Sequence, residues 1–278
     1  MNYLKFLCLL LISGLSISTL SALNPSRTYT TLPDKYDMVY KEIKLNTLDG
    51  KAEINVWDFP ATVRYSSASV VLIAHNGEGN MADYLKRVDQ FLKQGHRVII
   101  FDYRGYGSSS KFEIDNNMYI YPQFINDLET AIQYVWQKTR QPFSLYGWGI
   151  GAGLAVGVGY NHAEVKRIIA DTPFLSMEDL ENRFSKWDEP MDVPFAGYNK
   201  RFEPIHALSL EPSKNFDKIL FIIGSNDILF TSTDYKRIMQ SQSDLNASLQ
   251  VIENPDRTDN FKADKAAYMK AVGKFLGS

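Results

Sequence analysis

Apolar and polar positions along this chain alternate between two rhythms, short β-rich runs and longer stretches with helical spacing. Met38 to Asn46 and Ala52 to Phe59 alternate residue by residue as a hairpin does, with Leu48-Asp49-Gly50 as the turn. Val70 to Ala74 is apolar throughout, which predicts a strand buried on both faces, and Met81 to Gln94 reads as a helix stopped by Gly95. The pattern repeats with a strand at Val98 to Phe101, a helix at Tyr121 to Lys138, a strand at Phe143 to Tyr146 and a small-residue helix at Ala152 to Tyr160. Strands at Val165 to Ala170, Lys218 to Ile223 and Ser248 to Ile252 follow, and Lys262 to Leu276 is a closing helix. Such alternation predicts a single α/β domain, a mostly parallel central sheet with helices on both faces.

One interval breaks the rhythm. Residues 174–213 are irregular and carry Phe184, Trp187, Pro190, Pro194, Phe195, Tyr198, Phe202 and Pro204. A loop of that length in a compact domain is commonly functional, so it reads as a lid-like insertion or pocket wall, with aromatics plugged into the core as the alternative.

The first residues belong to a different regime. Lys5 precedes an apolar run from Phe6 to Ile17 and a small-residue ending at Leu20-Ser21-Ala22, the layout of an export signal over residues 1–22 that leaves a domain of 23–278. The expected destination is periplasmic or secreted. The alternative is an uncleaved anchor helix, although the run is shorter than the roughly 20 residues of a span. Cys8 lies within this segment without the small residues of a lipid-attachment site, so no cysteine remains after cleavage.

Composition adds little more. With 278 residues, 45% hydrophobic and 13% aromatic, the chain can bury a sizeable core without disulfides or metals. Beyond the signal, 29 basic side chains face 32 acidic ones, and no basic stripe points to nucleic acid. Asn246-Ala247-Ser248 forms a glycosylation sequon, of consequence only in a eukaryotic host.

The chemistry sits in three motifs. Gly147-Trp148-Gly149-Ile150-Gly151, between a strand and a helix, has the glycine frame of a G-x-S-x-G nucleophile elbow with glycine in place of the serine. His75-Asn76-Gly77-Glu78-Gly79-Asn80 directly follows a buried strand, and Phe101-Asp102-Tyr103-Arg104-Gly105-Tyr106-Gly107-Ser108 follows another. On these motifs the chain, from about Tyr40 to its end, resembles the α/β-hydrolase superfamily. The first glycine-rich loop is similar to the H-G-N-x-G-N oxyanion loop of a branch of small serine hydrolases, and the second matches that branch's D-Y-R-G-Y-G-S turn.

The resemblance implies a triad in the order Ser, Asp, His. Its serine position is Gly149. Its acid position is Asp227, in Gly224-Ser225-Asn226-Asp227, similar to the family's G-x-x-D. Its histidine position falls at Asp259, where relatives read roughly P-x-G-T-H-N and this chain reads Pro255-Asp256-Arg257-Thr258-Asp259-Asn260. All four histidines (His75, His96, His162 and His206) precede Asp227, so none fills that slot in the usual chain order. Asp227 and Asp259 are read as neighbours sharing a proton or as one solvated acid and one loop-capping residue. The resemblance further implies oxyanion-type N–H donors at Gly77 and Ile150, a structural role for His75 at the base of that loop, and Trp148 beside the pocket.

It implies no cofactor and no metal, and Asp234, Asp244 and Asp264 read as helix-face or cap residues. The expectation is an exported pseudo-hydrolase whose anion-friendly pocket takes a carboxylate, ester or lipid-like ligand, or a protein partner. The alternatives are an active esterase, lipase or peptidase with displaced catalytic residues, and a purely structural interaction protein with a blocked pocket.

Overall fold

The computed structural model of the chain describes residues 23–61, 69–194, 197–242, 244–254 and 259–277. The export segment, Phe195 and Pro255 to Thr258 lie outside the described residues.

Eight strands form one sheet: β1 (Lys41–Asn46), β2 (Glu53–Phe59), β3 (Val70–Ala74), β4 (Arg97–Asp102), β5 (Phe143–Trp148), β6 (Val165–Asp171), β7 (Lys218–Gly224) and β8 (Ala247–Ile252). Their spatial order is β8-β7-β6-β5-β3-β4-β2-β1. The hairpin of β1 and β2 is antiparallel and β2 meets β4 antiparallel, while every other pairing is parallel. The Gly50 N–H closes the hairpin turn on the Thr47 carbonyl at 2.8 Å. Strand β3, apolar at all five positions and buried at all five, lies at the centre, and β1, whose side chains alternate, lies at the edge.

The helices cover both faces, as the crossovers between parallel strands require. These are α1 (Leu85–Lys93), α2 (Gln123–Thr139), α3 (Ile150–Gly159), α4 (Met177–Phe184), α5 (Pro204–Leu208), α6 (Ser232–Ser241), α7 (Asn260–Ala263) and α8 (Lys265–Leu276). Two apolar layers result. One packs α2 and α3 with Phe174, Leu180 and Phe184, and the other packs α1 and α8 around Tyr146, Phe91 and Val272.

Several expected boundaries shift. The helix expected from Met81 opens as a 3-10 turn over Met81–Tyr84, capped by Asn80, before α1 begins. The elbow helix starts two residues early, at Ile150, and the closing helix is split by Asp264, which caps α8. Helix α6 was not legible in the periodicity; Asp234 forms a capping box with Thr231 at its start.

The irregular interval is more ordered than its sequence suggests. It contains α4, a short 3-10 turn at Lys200–Phe202 and α5. Phe184 and Tyr198 are buried, with Phe184 against Tyr119 and Trp187. Phe174 and the Phe202 backbone lie so close to α3 that only glycine fits at Gly153 and Gly157. Phe174, Phe184 and Tyr198 of this interval are therefore part of the core on the α3 side.

Candidate functional site

Strand β5 delivers the chain to a sharp turn before α3, and the sequence makes that turn out of glycine. A Cβ at Gly147 would collide with the Gly151 carbonyl, and one at Gly151 with the Ala74 carbonyl, so turn, helix and β3 pack at backbone distance. Gly149, between them, has φ +56 and ψ −121, a conformation that L side chains rarely adopt, and its N–H is held by the Asp171 carbonyl at 2.9 Å. A Cβ there would meet only Asn76, at 3.1 Å from its Cβ. The backbone thus has the shape of a nucleophile elbow with space above it and no side chain.

The two carboxylates of the expected triad are engaged separately. One oxygen of Asp227 accepts the N–H groups of Leu229 (2.9 Å) and Phe230 (3.0 Å), closing the turn after β7. Burial pushes its pKa up, and those two hydrogen bonds and Arg183 oppose the shift. Asp259 is a buried helix cap: Oδ1 accepts the Phe261 N–H at 3.0 Å and pairs with the Arg87 guanidinium. Lys262 Nζ stands 3.9 Å from the other oxygen. The charged groups facing Asp227 are Arg183 and Asp234, so the reading of two aspartates sharing a proton is replaced by two aspartates with different partners.

Arg87 is the residue that sequence reasoning missed. Its guanidinium lies over the rings of Trp148 (4.4 Å to the centroid), Phe261 (4.7 Å) and Tyr84 (5.4 Å), and its Nε donates to the Tyr146 hydroxyl at 3.0 Å. From Tyr146 a chain of hydrogen bonds continues through the Tyr268 hydroxyl (2.9 Å) to Asp171 Oδ2 (2.8 Å). Asn260 donates to the other Asp171 oxygen at 2.8 Å and accepts from Asn254 at the same distance. Burial raises the Asp171 carboxyl to a pKa of about 7, against the pull of Arg87 and the two donors. The signal in the sequence was an arginine four residues before Phe91, on the inward face of an amphipathic helix.

The oxyanion loop is closed from two sides. The Gly77 N–H, one of the two expected donors, is given to His75 Nδ1 at 3.2 Å, and the neighbouring Asn76 N–H to the Tyr84 hydroxyl at 2.8 Å. That leaves Ile150, whose N–H opens α3 and has no acceptor among the described residues. The N-terminal segment lies across the same loop: Asn24–Pro25 pairs in parallel with Glu78–Gly79, and the fully buried Leu23 side chain and Ile150 Cδ1 together fill the space above Gly77.

His75 is structural in its contacts. It is fully buried, burial drops its pKa to about 3, and the neutral ring carries its proton on Nε2, 3.8 Å from Asp102. Asp102 accepts from the Tyr29 hydroxyl (2.6 Å) and the Met81 N–H (2.7 Å), and burial raises it to about 7. Among the described residues no histidine contacts Asp227 or Asp259, and no group of three metal-ligating side chains occurs.

A polar cavity of about 490 Å³ opens beside the elbow, between the N-terminal segment and α1, with Trp148, Arg87 and Asp259 in its wall. None of the described residues between 174 and 213 lines it.

The model of the serine aminopeptidase (S33) family matches residues 65–195. The uncharacterised protein YqkD of Bacillus subtilis is 24% identical over 228 residues, covering 76% of this chain and 72% of its own length. The uncharacterised membrane protein YNL320W of Saccharomyces cerevisiae is 24% identical over 160 residues, and the chain spans about half (53%) of it. Among solved structures, the esterase Pf2001 of Pyrococcus furiosus superposes with a TM-score of 0.71 at 20% identity, covering 91% of this chain and 98% of the esterase. A putative α/β hydrolase of Agrobacterium tumefaciens, ATU1826, gives 0.59 at 17% identity, covering 85% and 95%. Strand order and the likeness to these solved structures show that the chain has the α/β-hydrolase fold, and its residues 65–195 match the serine aminopeptidase model.

Proposed function

We propose that this protein is an exported pseudo-hydrolase, a scaffold that has given up acyl transfer and binds a small ligand or a protein partner. The observation that carries the reading is the state of the two proton-handling positions. Gly149 has the elbow conformation without a nucleophile, and Asp259, in the place of the base, is tied to Arg87 inside the fold. A serine hydrolase needs a hydroxyl on that turn and an imidazole within reach of it. Asp227 alone supplies neither. The export signal rests on the pattern of residues 1–22.

The test is hydrolysis of short- and medium-chain p-nitrophenyl esters, with fluorophosphonate labelling as a second readout. The native protein is expected to be silent in both. A variant with Gly149→Ser and Asp259→His, and with Arg87→Leu to remove the stranded cation, is expected to label. Turnover by the native protein that Asp227→Asn abolishes would instead establish an active hydrolase with a displaced nucleophile, the reading favoured by the likeness to an esterase.

A further inference from the structure

Asp259 has one oxygen too few partners. Its side chain is 5% exposed, Oδ1 is engaged by Arg87 and the Phe261 N–H, and Oδ2 is buried with no hydrogen-bond partner. Lys262 Nζ approaches it only to 3.9 Å, beyond hydrogen-bond reach. A buried carboxylate oxygen without a donor is rare and costly, and Asp259 is one of the residues lining the cavity beside the elbow.

The remainder of that wall says what the donor belongs to. Lys86 and Glu78, both exposed on the cavity, have no ion-pair partner among the described residues. With Arg87, Lys262, Asp83 and Asp259, the lining carries three positive and three negative side chains, so it favours neither a bare cation nor a bare anion. A volume of about 490 Å³ falls within the range of small-molecule sites.

We infer that the cavity binds a small zwitterion of the amino-acid type, its ammonium donating to Asp259 Oδ2 and its carboxylate facing Lys86. The ammonium supplies the missing N–H donor, and Trp148, whose ring forms the adjoining wall, packs on the carbon chain. The inference rests on the reading of the protein as a ligand binder and gives the replaced base position a new task. No bond is made or broken.

Calorimetric titration of the full protein tests it, with glycine, 4-aminobutyrate and 6-aminohexanoate as probes. Controls are butyrate, butylamine and 4-(trimethylammonio)butyrate, the last keeping both charges but having no N–H to donate. At least one of the three probes is expected to bind at least tenfold more tightly than every control. Asp259→Asn is expected to weaken that binding at least tenfold. Lys86→Ala, an exposed change that leaves the fold alone, is expected to weaken the amino acid severalfold and leave butylamine unchanged.

Equal binding of probes and controls, or absence of binding by all three probes, overturns the inference. Binding of butyrate alone overturns it too, while leaving the ligand-binder reading in place. Ester turnover by the native protein would overturn that reading whichever way the titrations fall.

Discussion

Replacing Asp259 by histidine is expected to damage the fold. In Asp259→His the Arg87 guanidinium, almost fully buried beneath Trp148, Phe261 and Tyr84, loses its carboxylate. Removing one partner of a buried ion pair costs about 3–5 kcal/mol, because the other charge is left desolvated and unpaired. The bond from Tyr146 and the ring contacts survive and hold the loss toward the lower end, while the lost cap on the Phe261 N–H adds roughly 1 kcal/mol. The total, about 4 kcal/mol, corresponds to a drop in Tm of about 8–16 °C for a domain of this size.

Thermal melts followed by far-ultraviolet circular dichroism measure the drop. The companion variant Arg87→Leu with Asp259→His separates the cause, since it removes the stranded cation and is expected to recover half or more of the loss. A single Asp259→His change within about 1 kcal/mol of the native protein would refute the claim that the Arg87–Asp259 pair stabilises the fold. So would a double variant less stable than the single one.

Three further outcomes follow from the same geometry. Gly149→Ser is expected to fold with a penalty of about 1–2 kcal/mol, from its positive φ and the close Asn76 Cβ, whereas Gly147→Ala and Gly151→Ala drive a methyl into backbone and are expected to give little soluble protein; expression and urea melts of the three variants compare them. Asp171 and Asp102, both lifted to about 7, bind protons more tightly folded than unfolded, so their contribution is fully present below about pH 4 and is lost as the pH rises to 7. With roughly 1.4 kcal/mol per unit, each group supplies up to about 4 kcal/mol, and Asp171→Asn is expected to flatten the fall in urea midpoint between pH 5 and 8. Leu23→Ala leaves a void over the oxyanion loop and is expected to cost about 2–4 kcal/mol, read as a lower melting temperature.

Most of the scaffold was legible because it obeys local rules. Val70 to Ala74 is apolar at every position since both its faces are covered, and the observed strand has those same bounds. The elbow announced itself through glycines that only a backbone-to-backbone approach requires. Two things were hidden by distance along the chain. Arg87 and Asp259 are 172 positions apart, and nothing in the neighbourhood of either names the other. Leu23 reads as the first residue after an export signal, yet its side chain is fully buried against the loop that begins at His75. Residues 174–213 misled in the opposite sense: their prolines suggested irregular chain, yet the Phe174 ring and the Phe202 backbone pack directly on α3.

An enzyme of this fold keeps a base free to move protons, and a free titratable group inside a protein is a drain on stability. Here Asp259, at the position that the resemblance gives to the base, belongs to a network that reaches through Arg87, Tyr146 and Tyr268 to Asp171, whose backbone carbonyl holds Gly149. The start of α7, the end of β6 and the elbow are therefore joined to one another by side chains. Rigid walls with a buried acceptor left over are what a binding site needs, because little ordering remains to be done when the ligand arrives. The same rigidity argues against a hydrolase with displaced parts, since a histidine recruited from elsewhere would have to enter a wall that Arg87 already fills.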